Sequence, residues 1–176
     1  MTMWVFGYGS LLWNPGFPVA RREHATLHGY ARSFCMRSIH HRGTEENPGL
    51  VLALDEHPGA HCKGLALAVE PGHEARTLDE LRERELISSA YVEKMLDVQL
   101  EAGGTVKAVT YVIDPDHVQY CGGLPLEEQA QIIAEAVGGR GPNTEYLYNT
   151  AAHLAEIGLH DPELEWLSRR VRSLTA

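Results

Sequence analysis

The sequence predicts an α+β fold, a mixed β-barrel or curled sheet flanked by helices, and three observations carry that expectation. Apolar and β-branched runs bounded by Gly, Pro, Asn and Asp fill the first two thirds of the chain, one helical stretch interrupts them, and three amphipathic helical stripes fill the last third. Strands first and helices later, with a single helix inserted, fit a curled sheet better than a doubly wound one.

The strands are expected at Met3 to Phe6, Thr26 to Arg37, Leu50 to Leu54, Gly64 to Val69, Tyr91 to Leu100 and Thr105 to Ile113. The fifth alternates, with Val92, Leu96, Val98 and Leu100 on one face and Glu93, Asp97 and Gln99 on the other, and Ala102-Gly103-Gly104 turns it back into the sixth as a hairpin. The inserted helix is expected from about Gly72 to Leu86. Pro125 opens a second helix with Leu126, Ala130, Ile133 and Val137 in register. Pro142-Asn143 opens a third with Leu147, Ala151 and Leu154, and Asp161-Pro162 caps a fourth with Leu164, Leu167, Val171 and Leu174.

Composition narrows the function. The 176 residues, 44% hydrophobic and 22% charged, suit one domain over 1–176 with a sizeable core. A net charge of -9 argues against nucleic acid or an anionic membrane as the partner and leaves a small molecule. Cys35, Cys62 and Cys121 make an odd count without CxxC spacing, which fits a reducing cytoplasm rather than a disulfide framework. The N-terminus has no basic and apolar leader pattern, and no apolar stretch approaches the roughly 20 residues that span a bilayer.

Gly7-Tyr8-Gly9-Ser10-Leu11-Leu12 follows an apolar strand, so a dinucleotide fingerprint is the first idea to test. It fails: Leu12 stands at the third glycine position, and Trp13-Asn14-Pro15-Gly16-Phe17-Pro18 does not open the helix that would receive a pyrophosphate. What is left is a sharp turn whose Gly9, Ser10 and Leu11 N–H groups lack ladder partners and suit a carboxylate or an oxyanion. The structural alternative is that the glycines only permit a tight turn.

Helical phase singles out one carboxylate. At about 100° per residue, Leu78, Leu81 and Glu85 fall within roughly 60° of one another, whereas Glu83 lies about 140° from Leu78. An acid on the apolar face, at the C-terminal end of a helix where the macrodipole disfavours negative charge, has a raised pKa unless a cation compensates, and a base working near neutrality needs that. Pairing with Arg82 or Arg84, or escape to solvent, is the opposing expectation.

The stretch Ser38-Ile39-His40-His41-Arg42-Gly43 ends a strand, and Ser38 there is a candidate substrate contact or one partner of a hydrogen-bonded turn. Ten histidines raise the question of a metal, but Pro58-Gly59 separates His57 from His61, and His40 and His41 point apart, so no metal site is expected. No Gly-x-Ser-x-Gly elbow supports a serine triad. Cys35 and Cys121 read as packing residues, as does Tyr148.

Taken together, Val5-Phe6-Gly7-Tyr8-Gly9-Ser10-Leu11, His41-Arg42-Gly43, Arg84-Glu85 with Tyr91 six residues on, and Asn143-Thr144-Glu145-Tyr146-Leu147 resemble the ChaC family of glutathione-specific γ-glutamylcyclotransferases nearly end to end. The resemblance implies a γ-glutamylcyclotransferase-like barrel with flanking helices and a lyase that splits glutathione into 5-oxoproline and cysteinylglycine without metal or cofactor. By position it makes Glu85 the catalytic acid/base and Val5, Phe6, Gly7, Tyr8, Gly9, Ser10 and Leu11 substrate-binding residues, with Tyr91 and Tyr146 lining the pocket. Two alternatives stay open: a cyclotransferase for other γ-glutamyl amino acids or amines, and a non-catalytic γ-glutamyl-binding regulator. One departure stands out, since Gly139-Arg140-Gly141-Pro142-Asn143 replaces a direct step from Gly-Arg to Asn in relatives, which is expected to displace the approach to Asn143.

Overall fold

A computed structural model describes residues 2–86 and 89–176 of the chain; Met1, Ile87 and Ser88 lie outside the described residues. The fold is α+β and falls into two compact units, one formed by the chain up to Arg32 with Leu54–His117, the other by Ser33–Ala53 and Val118–Ala176.

The first unit contains a closed, mixed five-stranded barrel. Strand β1 (Trp4–Gly7) lies between β3 (Gly49–Val69) and β5 (Thr105–Ile113), and the order β1-β3-β2-β4-β5 is completed by β2 (Val19–Ser38) and β4 (Tyr91–Leu100). It runs antiparallel to β3, with Phe6 opposite Ala66, and parallel to β5, with Trp4 opposite Ala108. The β4–β5 hairpin has the expected form: Val98 faces Val106, Leu100 N–H donates to Gly104 C=O at 2.9 Å, and Gly103 and Gly104 take the positive φ that closes so short a turn. Trp4, Phe6, Leu27, Tyr30, Leu54, Ala66, Val98, Ala108 and Val112 form one buried cluster against which Tyr8 packs. Close approach of β1 and β3 requires Gly64, where a Cβ would collide with the Gly7 carbonyl and the Phe6 ring.

Two expected strands, Leu50 to Leu54 and Gly64 to Val69, are one 21-residue strand, because Pro58 and Gly59 bend it without ending it: Gly59 adopts φ +86° and both residues are exposed. The second strand begins at Val19 instead of Thr26, continuing through Gly29 at φ +88°. Helix α1 (Glu74–Glu85) is shorter than expected at both ends.

The second unit holds the far ends of β2 and β3 with three mutually packed helices, α2 (Leu126–Glu135), α3 (Asn143–Ile157) and α4 (Pro162–Thr175). Their expected stripes are buried at Ala130 and Ile133, Leu147 and Leu154, and Leu164, Leu167 and Val171. Asp161 caps α4 by accepting from Leu164 N–H at 3.1 Å, with Pro162 as the first helical residue. Val137 departs from its expected stripe: α2 stops at Glu135, and Val137 is 55% exposed in a two-residue hairpin of β6 (Val137–Gly138) and β7 (Gly141–Pro142). The extra Gly141-Pro142 pair thus forms a strand of its own before Asn143.

Candidate active site

Glu85 is the last residue of α1, whose inward face is made by Thr77 and Leu81, and its side chain is 18% exposed while Glu83 is exposed. Burial pushes its carboxyl above the ordinary carboxylate range, and the neighbouring Arg84 guanidinium pulls it down by less. The two opposing expectations therefore meet in one residue, and burial wins. Arg84 Nε lies 3.7 Å from Glu85 Oε1, but its hydrogen bonds go elsewhere, to Ser10 Oγ and to the Asn14 carbonyl, both at 2.9 Å.

Those bonds tie the end of α1 to the glycine loop. After β1 the chain turns at Gly9 (φ −139°, ψ −123°) into a 3₁₀ turn over Ser10–Leu12, closed by Leu12 N–H on the Gly9 carbonyl at 2.9 Å. The N–H groups of Ser10 and Leu11 open that turn and have no acceptor within it. Gly7 packs against Leu11, whereas the space a Cβ would take at Gly9 is open. Leu11 is buried, Tyr8 half-buried and Ser10 exposed; Val5 and Phe6 have fully buried side chains. Tyr91 opens β4 opposite Ile113.

Three residues that the sequence reading passed over complete the surroundings. Buried Arg32 donates from Nε to the Tyr8 carbonyl at 2.8 Å and from Nη2 to the Lys63 carbonyl, pinning the loop from beneath. Its signal was present in the alternation Tyr30, Arg32, Phe34, Met36, which places an arginine in the buried phase of β2. On the hairpin, Glu93 accepts two hydrogen bonds from Arg82, at 2.9 and 3.0 Å, and one from the buried Tyr111 hydroxyl at 2.8 Å. The Arg82 guanidinium holds Glu93 below the usual carboxylate range, and burial pushes Tyr111 up, helped by Glu93 and the charge of Glu85.

Ser38 and Tyr146 belong to the second unit. Ser38 Oγ accepts from Arg42 N–H at 2.9 Å, the hydrogen-bonded turn that was one of its two readings. Tyr146 accepts from Leu52 N–H at 3.1 Å through its hydroxyl, meets Phe34 edge-on, and carries the Arg42 guanidinium 5.8 Å from its ring centre. Asn143, fully buried, grips both backbone groups of Leu50 at 2.8 and 2.9 Å. The Tyr148 ring stacks with Arg172, in line with a packing role.

A cleft of about 500 Å³ opens in the first unit where β2 and β4 meet, walled by His28, Tyr30, Leu96, Asp97 and Gln99. Its chemistry is poor: His28 bonds to Gln99, and its one carboxylate, Asp97, is exposed and paired with Lys107. Among the described residues, no three His, Cys, Asp or Glu side chains gather as a metal site requires.

The family model for ChaC-like proteins matches residues 3–174. A glutathione-specific γ-glutamylcyclotransferase of Escherichia coli is 35% identical over 99% of this chain and 74% of its own length, and γ-glutamylcyclotransferase 2-3 of Arabidopsis thaliana is 34% identical over 99% and 90%. The crystal structure of a yeast γ-glutamyl cyclotransferase specific to glutathione superposes with a TM-score of 0.84 at 24% identity, covering all of both chains, so the fold is shared. With the family match spanning nearly every residue, the chain belongs to the ChaC-like family.

Proposed function

We propose that this chain is a lyase that cleaves glutathione into 5-oxoproline and cysteinylglycine, with Glu85 as general acid/base. The observation that carries the mechanism is a carboxylate largely withdrawn from water at the end of α1, its pKa raised by burial, beside the glycine loop to which α1 is tied through Arg84. Relatives at 34–35% identity that carry this activity in their names support the choice of substrate. One family match across residues 3–174 supports reading both units as a single family module. The setting in this reading is the cytoplasm, where glutathione keeps thiols reduced.

A γ-glutamyl group carries its own nucleophile. Glu85 removes a proton from the α-ammonium, and the freed amine attacks the γ-carbonyl carbon, forming the ring C–N bond and a tetrahedral oxyanion. Collapse breaks the bond to the cysteinyl nitrogen, which takes the proton from Glu85 as it leaves, and the freed Glu85 carboxylate relays the second proton of the ring nitrogen to the departing amine, leaving a neutral lactam and an ammonium. Holding the flexible chain in the attacking conformation supplies much of the rate, since ideal orientation is worth about 7–11 kcal/mol. The Ser10 and Leu11 N–H groups hold either the α-carboxylate or the developing oxyanion, with Tyr8, Gly9 and Tyr91 shaping the pocket. The hydroxyl of Ser10 is already engaged by Arg84, so its backbone is the part we assign to substrate.

Incubating the purified chain with glutathione and following 5-oxoproline by chromatography tests the proposal. Release of both products is expected, with a loss of about 10²–10⁴-fold in kcat for Glu85→Gln. Wild-type turnover in that variant overturns the acid/base assignment, and absence of product from the parent overturns the activity.

A further inference from the structure

We propose that Glu93 is a positioning residue for the cyclisation: it clamps Arg82 at two points and so keeps that guanidinium off the carboxylate of Glu85. The proposal rests on the acid/base reading of Glu85. Arg82 precedes Glu85 by three residues, and side chains three apart on a helix are neighbours, so Arg82 is placed to pair with it. It pairs with β4 instead, through the two-point geometry that suits a guanidinium to a carboxylate. Glu93 is itself fixed from the adjacent strand, where Tyr111 stands directly opposite and donates its hydroxyl hydrogen bond at 2.8 Å.

Arg84, the other cation beside Glu85, spends its hydrogen bonds on the loop while its Nε stays 3.7 Å from Glu85 Oε1. Among the described residues, Arg84 on α1 acts on Glu85, Glu85 acts on Tyr111 of β5, and Tyr111 in turn contacts Glu93 of β4 and feels Arg82; the Tyr8 and Tyr91 phenols are the further titratable groups of the proposed pocket. From the loop, the Ser10 hydroxyl receives the Arg84 hydrogen bond. Both arginines have partners other than Glu85, which leaves burial to dominate that carboxylate. The charge of Glu85 also raises Tyr111, which places the clamp within electrostatic reach of the base.

A charge cycle on the full chain tests this. The Glu85 carboxyl carbon is followed through a pH titration by NMR, its signal identified by its loss in Glu85→Gln, and kcat/KM for glutathione is measured across the same range. Glu93→Gln is expected to lower the Glu85 midpoint by about one pH unit, because Arg82 is then uncompensated, and to move the acid limb of kcat/KM down with it. Arg82→Gln is expected to move both upward, because the charge of Glu93 is then unbalanced. The double variant is expected to return near the parent. A purely structural clamp gives no such opposite signs. An unmoved Glu85 midpoint in both single variants overturns the proposal, and so does a midpoint that moves without the acid limb. Retained turnover in Glu85→Gln is a separate result that removes the acid/base reading, and the carboxyl midpoint still decides whether Glu93 diverts Arg82.

Discussion

Glu85 joins two quantities that are usually measured apart, because the burial that would suit it to the proposed proton transfer also costs the fold. Its folded-state pKa lies above the ordinary value near 4.5, so the native state holds this proton more tightly than the unfolded chain. Stability from this group is therefore greatest below the unfolded pKa and falls as pH rises through the interval up to the folded pKa. At pH 7.5, Glu85→Gln is expected to raise the thermal midpoint while lowering kcat by about 10²–10⁴-fold, and the stability gain should vanish below about pH 4. A lower midpoint at pH 7.5 contradicts the desolvation account. The residue was legible from helical phase alone, since Leu78, Leu81 and Glu85 share a face. Its electrostatic setting was not legible. Whether Arg82 and Arg84 reach Glu85 depends on Glu93, eleven residues from Arg82, and on Ser10, seventy-four from Arg84, and local periodicity says nothing about such separations.

At the scale of elements, the motifs of the second unit go into packing and backbone hydrogen bonds. Gly138 in β6 lies so close to the His40-to-Gly43 turn that a Cβ would collide with the backbone of Arg42 and Gly43, while Gly139 and Arg140 donate to the His40 and His41 carbonyls at 2.7 and 2.9 Å. Gly138→Ala should therefore destabilise by about 1–3 kcal/mol, as overpacking does, and denaturant unfolding checks it. Asn143 begins α3 with its amide spent on Leu50, so Asn143→Ala leaves a buried N–H and C=O unmatched and should cost about 2–4 kcal/mol. An effect below about 1 kcal/mol would mean that water replaces the amide there. The three C-terminal helices were readable from their apolar stripes and caps. The β6–β7 hairpin was not: two-residue strands have too few positions for an alternation, and Val137 imitated the next step of the α2 stripe. The long β3 was missed for the opposite reason, because Pro58-Gly59 carries a turn signature that the strand absorbs as a bend.

Across the whole molecule, charge becomes a kinetic quantity. The chain carries a net charge of -9 at neutral pH, and the substrate assigned to it, with two carboxylates and one ammonium, is itself a net anion. At the loop proposed to hold substrate, two fields of opposite sign compete: the long-range repulsion of the whole chain, and the short-range attraction of Arg32 and Arg84. Distance decides between them. The Debye length falls from about 30 Å at 0.01 M salt to about 8 Å at 0.15 M, so added salt removes the distant repulsion and leaves contacts of a few ångströms nearly intact. For a molecule of this size and charge, kcat/KM for glutathione should rise about threefold over that interval. A γ-glutamyl alkylamide, whose one carboxylate and one ammonium leave it without net charge, should show almost no change under the same conditions, and measuring the two substrates side by side separates repulsion from any effect of salt on the fold. A fall in kcat/KM for glutathione would mean that the arginines beneath and beside the loop govern the approach of substrate, with the acidic surface too remote to matter.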